Sequence, residues 1–318
     1  MVRLGSEVQL AKREGVGAPR IPCPAGGGFC RRAVGECIVF AMKSDSIQST
    51  VTLNNGVEMP WLGFGVFKAA PGDDTRQAVL HAIRTGYRHI DTATFYENEA
   101  DVGAAIAESD VPRDELFVTT KVWNTDQGFD ATLRAFDTSM QKLGLDVIDL
   151  YLVHWPVPGL YSETWKALER LYSQGRVRAI GVSNFLQHHL ETILSRSDIV
   201  PAVNQVEFHP RLLQSDLRAF CRKHGIQYEA WSPLMRGRIL DSEVITRIAG
   251  AHGKTPAQVV LRWDLQHEVV TIPKSVRPKR IEENADIFDF ELTAEEMQAI
   301  DALDRNERIG PDPDRIGT

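Results

Sequence analysis

The stretch that decides the fold is Val147-Ile-Asp-Leu-Tyr-Leu-Val-His154, followed by Tyr161-Ser-Glu-Thr-Trp-Lys-Ala-Leu-Glu-Arg-Leu-Tyr172, then Gly175 and Val177-Arg-Ala-Ile-Gly-Val-Ser183. The first and last runs are nearly continuous apolar segments, as in strands buried on both faces. The middle run has a helical apolar face, and Gly175 stops it. Strand, helix and strand within 37 residues make one βαβ unit.

Working outward, the same unit recurs. Strand candidates are Leu62–Val66, Arg88–Thr92, Leu116–Val122, Val147–His154, Val177–Ser183, Ala202–Phe208, Ile226–Trp231 and Val269–Pro273. Helices are predicted at Asp74–Arg84, Asp130–Leu143 and Tyr161–Tyr172. The long last gap holds two more, near Ser242–His252 and after Thr255-Pro256, an N-cap followed by proline. Thr293-x-x-Glu296 opens a final one. Ahead of the first unit, Asn55-Gly56 between short alternating runs predicts a β-hairpin. Eight βα units predict a (β/α)8 barrel, an α/β TIM barrel with an N-terminal hairpin and extra helices late in the chain. A doubly wound sheet requires a glycine-rich phosphate turn after its first strand, and Gly63-Phe-Gly65-Val-Phe-Lys68 departs from that pattern at its third glycine.

The 318 residues are 43% hydrophobic and 25% charged, ordinary for a globular protein, and no apolar run of about 18 residues is present. The net charge of −7 argues against nucleic acid as the main partner. Residues 1–41 differ from the rest: they hold Cys23, Cys30 and Cys37 of the four cysteines, and six basic against three acidic residues. They read as a disordered extension, a targeting peptide or a metal site, or as sequence upstream of a true start at Met42. The Cys-x6-Cys-x6-Cys spacing lacks the close pairs of zinc ligands, so no metal is expected. Residues 42–318 read as a single barrel domain. Without the extension only Cys221 remains, which favours a reducing cytoplasm.

Barrel chemistry sits at the C-terminal ends of the strands. That rule selects Asp91, Lys121 and His154 at three consecutive strand ends, with Tyr96 in the loop beyond the first. Each alone has an ordinary structural explanation as a cap, a rim charge or a core residue. Together they can protonate a carbonyl: an ammonium lowers a neighbouring phenol's pKa, Asp91 holds the ammonium, and His154 donates to the substrate oxygen. Reduction then requires a nicotinamide, since no side chain delivers hydride. A rival reading makes Lys121 a Schiff-base nucleophile of an aldolase. Four of the seven residues Lys274–Arg280, after the eighth strand, are basic, which suits an extra phosphate as on NADPH. Ser183, Asn184 and Gln205 are placed to read a carboxamide, and Trp231 to stack on a flat ring.

These residues together resemble the aldo-keto reductase family, over roughly residues 50–310. The resemblance rests on Gly86-Tyr-Arg-His-Ile-Asp91-Thr-Ala-x-x-Tyr96-x-Asn98-Glu99, Thr120-Lys121-Val-Trp123 and Leu150-Tyr-Leu-Val-His154-Trp-Pro156. It continues through Ile180-Gly-Val-Ser183-Asn184-Phe185, Asn204-Gln205-Val-Glu-x-His209-Pro210 and Ile272-Pro-Lys274-Ser-x-x-x-x-Arg280-Ile-x-x-Asn284. It implies a catalytic tetrad of Asp91, Tyr96, Lys121 and His154, with Tyr96 the acid in reduction. It implies an NADPH site of Ser183, Asn184 and Gln205 at the carboxamide, Trp231 on the nicotinamide, Ser232 and Leu234 along the pyrophosphate, Lys274, Ser275 and Arg280 at the 2′-phosphate, and Asn284 near adenine. Within the family the chain looks closest to the prokaryotic 2,5-diketo-gluconate reductase-like branch. Phe67, Trp123 and Trp155 would form an apolar pocket. Phe67 stands where relatives often place Trp or Tyr, Trp231 where many have Tyr, and Met235-Arg236 replaces a smaller, often glycine-containing pair. The expected protein is a monomeric NADPH-dependent reductase of small carbonyl compounds. A catalytically idle NADPH-binding regulator is the reading from another class.

Overall fold

The computed structural model describes residues 45–316, so the readings of the first 41 residues, including the three cysteines, lie outside the described residues. A two-stranded hairpin comes first, β1 (Thr50–Thr52) and β2 (Glu58–Pro60), turning through Leu53–Val57. Its turn donates to the carbonyls of Arg178 and Pro201 from the Asn55 and Asn54 amides, at 2.9 and 3.1 Å. Those carbonyls lie at the N-terminal ends of two barrel strands, so the hairpin caps the end opposite the chemistry.

The barrel strands are β3 (Gly63–Gly65), β4 (His89–Asp91), β5 (Phe117–Val122), β6 (Ile148–Val153), β7 (Val177–Ser183), β8 (Val203–Glu207), β9 (Gln227–Trp231) and β10 (Val270–Thr271). All run parallel, each beside its neighbour in sequence. Every one of the eight expected strands is present, mostly trimmed at the ends. The last is trimmed most: Pro273 has no N–H to donate, and only its carbonyl takes part, accepting from the Gly65 amide at 3.1 Å. The barrel closes by a parallel bridge between Leu62 and Thr271, where the Thr271 amide donates to the Trp61 carbonyl at 3.0 Å.

The outer helices are α1 (Asp73–Thr85), α2 (Glu99–Glu108), α3 (Phe129–Leu143), α4 (Tyr161–Ser173), α5 (Gln187–Leu194), α6 (Ser215–Lys223), α7 (Glu243–His252), α8 (Pro256–Gln266), α9 (Pro278–Ala285) and α10 (Ala294–Asp301). Thr293 forms the capping box with Glu296 that its spacing predicts, and the expected N-cap Thr255 also forms one, with Gln258. Strands β5 and β6 are buried at all six positions each, the consequence of side chains filling the barrel on one face and helices covering the other. Helices α2 and α3 meet without a side chain at Gly103, where a Cβ would lie 2.3 Å from the Leu143 carbonyl oxygen. Among the described residues, no helix is long and apolar enough to cross a membrane.

Candidate active site

Asp91 ends β4, Lys121 lies in the last turn of the pleat of β5, and His154 follows β6 directly. After β4 the chain makes a short 3-10 turn, Thr94–Tyr96, which carries Tyr96 over the strand ends. Two side-chain bonds hold this loop. Thr94 Oγ1 donates to the Lys121 carbonyl at 3.0 Å, and Thr92 Oγ1 donates to Asn98 Oδ1 at 2.9 Å. Lys121 is 0% exposed, and its Nζ donates to Asp91 Oδ1 and Oδ2 at 2.7 and 2.8 Å, to the Thr92 carbonyl at 2.9 Å and to Tyr96 Oη at 3.4 Å. The ammonium is thus directed at one carboxylate, one carbonyl and one phenol, which satisfies its three protons.

Burial opposes the Lys121 charge, but Asp91 and Tyr96 more than offset it and the net shift is upward. The expectation that the ammonium lowers the Tyr96 pKa is corrected in net effect. Lys121 does pull the phenol down, but burial outweighs it and Tyr96 is pushed up to about 12. Tyr96 is therefore protonated at neutral pH and ready to give a proton. Burial, then Lys121, hold His154 well below the usual histidine range, so it is a neutral imidazole. Its Nδ1 is buried without a partner.

The cavity above these groups measures about 580 Å³ and is lined by Phe67, Phe95, Tyr96, Trp123, His154 and Trp155 on its apolar side. Phe95 stacks on Trp123 with ring centroids 3.9 Å apart, and Phe67 lies 4.9 Å from the Tyr96 ring. Phe95 is 47% exposed and Phe67 37%, the marks of a pocket open at its mouth. Of the pocket residues, Phe95 escaped sequence reading because a loop phenylalanine carries no pattern.

Ser183, Asn184, Gln205, Trp231, Ser232, Leu234 and Lys274 line the other wall. Several of their polar atoms are already engaged. Ser183 Oγ donates to the Gln205 carbonyl at 2.8 Å, and Asn184 Nδ2 donates to the His154 carbonyl and to Ser183 Oγ, both at 3.0 Å. Trp231 Nε1 donates to Asn184 Oδ1 at 2.8 Å. Asn184 and Ser232 hold left-handed backbone conformations, φ 64° and 53°, which turn the chain sharply at the strand ends. Met235 and Arg236 are also left-handed, φ 49° and 56°, a conformation that glycine adopts most readily.

Gln205 does more than read a carboxamide. Its Nε2 donates to Asp91 Oδ2 at 2.8 Å and to Glu229 Oε2 at 3.0 Å, so only Oε1 remains for a ligand. Glu229 and His89 were missed by sequence reasoning. Both are fully buried beneath the ammonium, 3.8 Å apart. Burial and the nearby Asp91 push Glu229 up to about 8, and burial and Lys121 push His89 down to about 3. A signal for Glu229 did exist: Glu229 and Trp231 are two apart on β9, hence on one face.

Lys68 and Arg236 also line the cavity; Lys68 was not anticipated and Arg236 was noted only as a departure from the family pattern, and Lys274 Nζ donates to the Lys68 carbonyl at 3.1 Å. The remaining residues of the basic segment lie outside the cavity lining. Ser275 and Asn284 are buried, Ser275 Oγ accepts the Arg277 amide at 3.1 Å, and Arg280 is exposed in the first turn of α9.

The chain belongs to the aldo/keto reductase family, whose model matches residues 61–305. It is 60% identical over 271 residues to glyoxal reductase of Bacillus subtilis (strain 168), covering 85% of this chain and 98% of the relative. It is 51% identical to morphine 6-dehydrogenase of Pseudomonas putida, covering 84% and 95% of the two chains. Among solved structures, a mutant of Gox0644 in complex with NADPH superposes with a TM-score of 0.82 at 48% identity, covering 85% of this chain and 99% of that one. An aldo-keto reductase from a Medee basin deep-sea metagenome library gives 0.83 at 47% identity, over 85% and 100%.

Proposed function

We propose that this chain is an NADPH-dependent carbonyl reductase acting on small aldehydes and ketones, with Asp91, Tyr96, Lys121 and His154 as its catalytic set. The observation that carries this reading is the protonated Tyr96 hydroxyl, 3.4 Å from a fully buried Lys121 ammonium and facing an apolar cavity. The wall opposite suits a nicotinamide dinucleotide: a spare amide oxygen on Gln205, the Trp231 indole, and the basic side chains of Lys68, Arg236 and Lys274. Ser183, Asn184, Ser232 and Leu234 complete that wall, and Ser275, Arg280 and Asn284, on the segment that follows Lys274, would serve the 2′-phosphate and adenine.

A bound nicotinamide supplies the hydride that the side chains lack. The neutral His154 orients the carbonyl oxygen, and Tyr96 gives it a proton as the carbon is reduced. Lys121 then stabilises the phenolate left behind, held in place by Asp91. Phe67, Trp123 and Trp155 exclude water from the reacting carbon. In the oxidative direction Tyr96 takes the proton back.

The aldolase reading requires a neutral amine at Lys121, and its raised pKa and three occupied donors speak against that. The idle-regulator reading leaves the tetrad's alignment without a purpose. We further read residues 42–318 as one catalytic domain working as a monomer in the cytoplasm. Of the exposed large apolar side chains, Phe67 and Phe95 line the pocket while Phe129, Leu160 and Val276 lie outside it, and Cys221, the free cysteine of the described residues, is buried.

An NADPH-coupled absorbance screen over glyoxal, other dicarbonyls, sugars and aromatic aldehydes tests the reading. Tyr96→Phe is expected to lower turnover by about 10²–10⁴-fold with NADPH binding kept. Near wild-type turnover in that variant would refute the acid assignment, and tight NADPH binding without turnover on the whole panel would favour the regulator.

A further inference from the structure

Beyond α10 the chain returns across the open end of the barrel, and Gly310, Pro311 and Ile316 join the cavity lining. What holds this tail in place is a carboxylate inside the barrel. Glu207, the last residue of β8, is 0% exposed and pairs in register with Trp231 of β9. Its Oε1 accepts the Ile309 amide at 2.6 Å and faces His209 Nε2 at 3.0 Å, while its Oε2 accepts the Gly310 amide at 3.1 Å. Two of these donors are backbone groups of the tail. Burying a carboxylate is costly unless charge-assisted bonds compensate, and here the tail provides most of them.

The clamp presses the tail against the indole. At Gly310 an added Cβ would lie 2.4 Å from Trp231 Cη2 and 3.1 Å from Glu207 Oε2, so the tail backbone packs directly on the ring edge. The Nε1 of the same indole is tied to Asn184 Oδ1. Further contacts flank the clamp. Arg308 donates to Gln214 Oε1 at 2.7 Å, Gln214 Nε2 donates to the Glu207 carbonyl at 2.6 Å, and Asp314 Oδ1 lies 3.0 Å from His188 Nε2 and 3.4 Å from His189 Nε2. The His188, His189 and Asp314 group does not suit a metal. His189 Nδ1 accepts the Leu186 amide at 3.1 Å, so a neutral ring keeps its proton on the Nε2 that faces Asp314.

We propose that Glu207 is a positioning residue for carbonyl reduction: it clamps the C-terminal tail onto Trp231 and thereby sets the wall against which the substrate binds. The proposal rests on the carbonyl-reductase reading for its kinetic consequence but not for its structural one. Without the clamp the tail lifts, the wall formed by Gly310, Pro311 and Ile316 is lost, and substrate binding weakens while the proton donor is untouched.

The test compares the full chain, Glu207→Gln, a chain ended after Arg308, and the two changes combined. Glu207→Gln keeps the shape but offers one oxygen where two are used. It is expected to speed amide hydrogen exchange at Ile309 and Gly310 at least tenfold, and to raise KM for glyoxal about tenfold with kcat within twofold. The shortened chain should show the same raised KM, and adding Glu207→Gln to it should change nothing further. Unchanged exchange at Ile309 and Gly310, or an equal loss of kcat in the full and shortened chains, would overturn the proposal. If Glu207→Gln does not fold, Gly310→Ala tests the contact from the tail side and should reproduce the KM rise; a KM equal to that of the unaltered chain would overturn it. If the unaltered chain reduces no carbonyl at all, the functional reading fails, and the exchange data still decide whether Glu207 holds the tail.

Discussion

Asp91 and Gln205 are joined by a 2.8 Å hydrogen bond across the barrel interior, from the amide nitrogen of one to the carboxylate of the other. The carboxylate that holds Lys121 is therefore itself held by a residue whose remaining oxygen faces the cavity. In the proposed site, proton chemistry and ligand reading would share one side chain.

Asp91→Asn replaces the anion facing a fully buried ammonium with a neutral amide. Breaking a buried pair in this way costs about 3–5 kcal/mol, because the remaining charge is left uncompensated. We expect a loss of that order in unfolding free energy, read from urea melts, and a loss of turnover. A variant with unchanged midpoint would show that the Thr92 carbonyl and Tyr96 suffice to hold Lys121.

Glu229 makes stability depend on pH in a defined direction. Its folded pKa of about 8 lies above the ordinary carboxylate value of 4.5, so between those values the folded state binds more protons than the unfolded one. By linkage, its stabilising contribution is complete below pH 4.5 and is lost as pH rises towards 8. Glu229→Gln should flatten that decline, read as urea midpoints from pH 5 to 9. His89 acts at the other end: with a folded value of about 3 against 6.5, its contribution is lost as pH falls through that interval. If the wild-type and Glu229→Gln midpoints run parallel over pH 5–9, the assignment is wrong.

In the proposed site, Arg280 and Lys274 would distinguish NADPH from NADH. Hydrogen bonds to a charged group contribute about 1.5–3 kcal/mol, so Arg280→Ala should weaken NADPH binding by about ten- to a hundredfold. NADH binding should change little. Titration of Trp fluorescence with each nucleotide checks this, and equal losses for both would remove Arg280 from phosphate recognition.

Gly103→Ala places a methyl group on the Leu143 carbonyl oxygen. Because backbone rather than a flexible side chain stands in the way, α2 must move off α3. The expected destabilisation is about 1–3 kcal/mol with kcat unchanged, measured by denaturant melts and initial rates.

The spacing of apolar runs and stop glycines was enough to read all eight barrel strands and helices α1, α3, α4, α7, α8 and α10, whereas the bounds of α2, α5, α6 and α9 were not read. Strand ends were placed less well, as at Val270–Thr271, because pairing rather than hydrophobicity ends a strand. The strand-end rule found Asp91, Lys121 and His154, since a polar residue closing an apolar run stands out. Glu229, His89 and Glu207 do not stand out in that way. They face the barrel interior or its mouth, and their partners are supplied by strands and a tail that are distant in sequence. Lys68 and Arg236 were hidden for another reason: a loop lysine or arginine reads as a solvated charge until the fold turns it inward.

The closure between Leu62 and Thr271 has a consequence of its own. The first and last strands meet there through few bonds, and Lys68 and Lys274, which flank that seam, both face the cavity. A dinucleotide bound along that wall, as proposed, would bridge the two ends of the barrel like a rivet across a slit. The lifetime of the folded chain against proteases would then lengthen as the dinucleotide concentration rises.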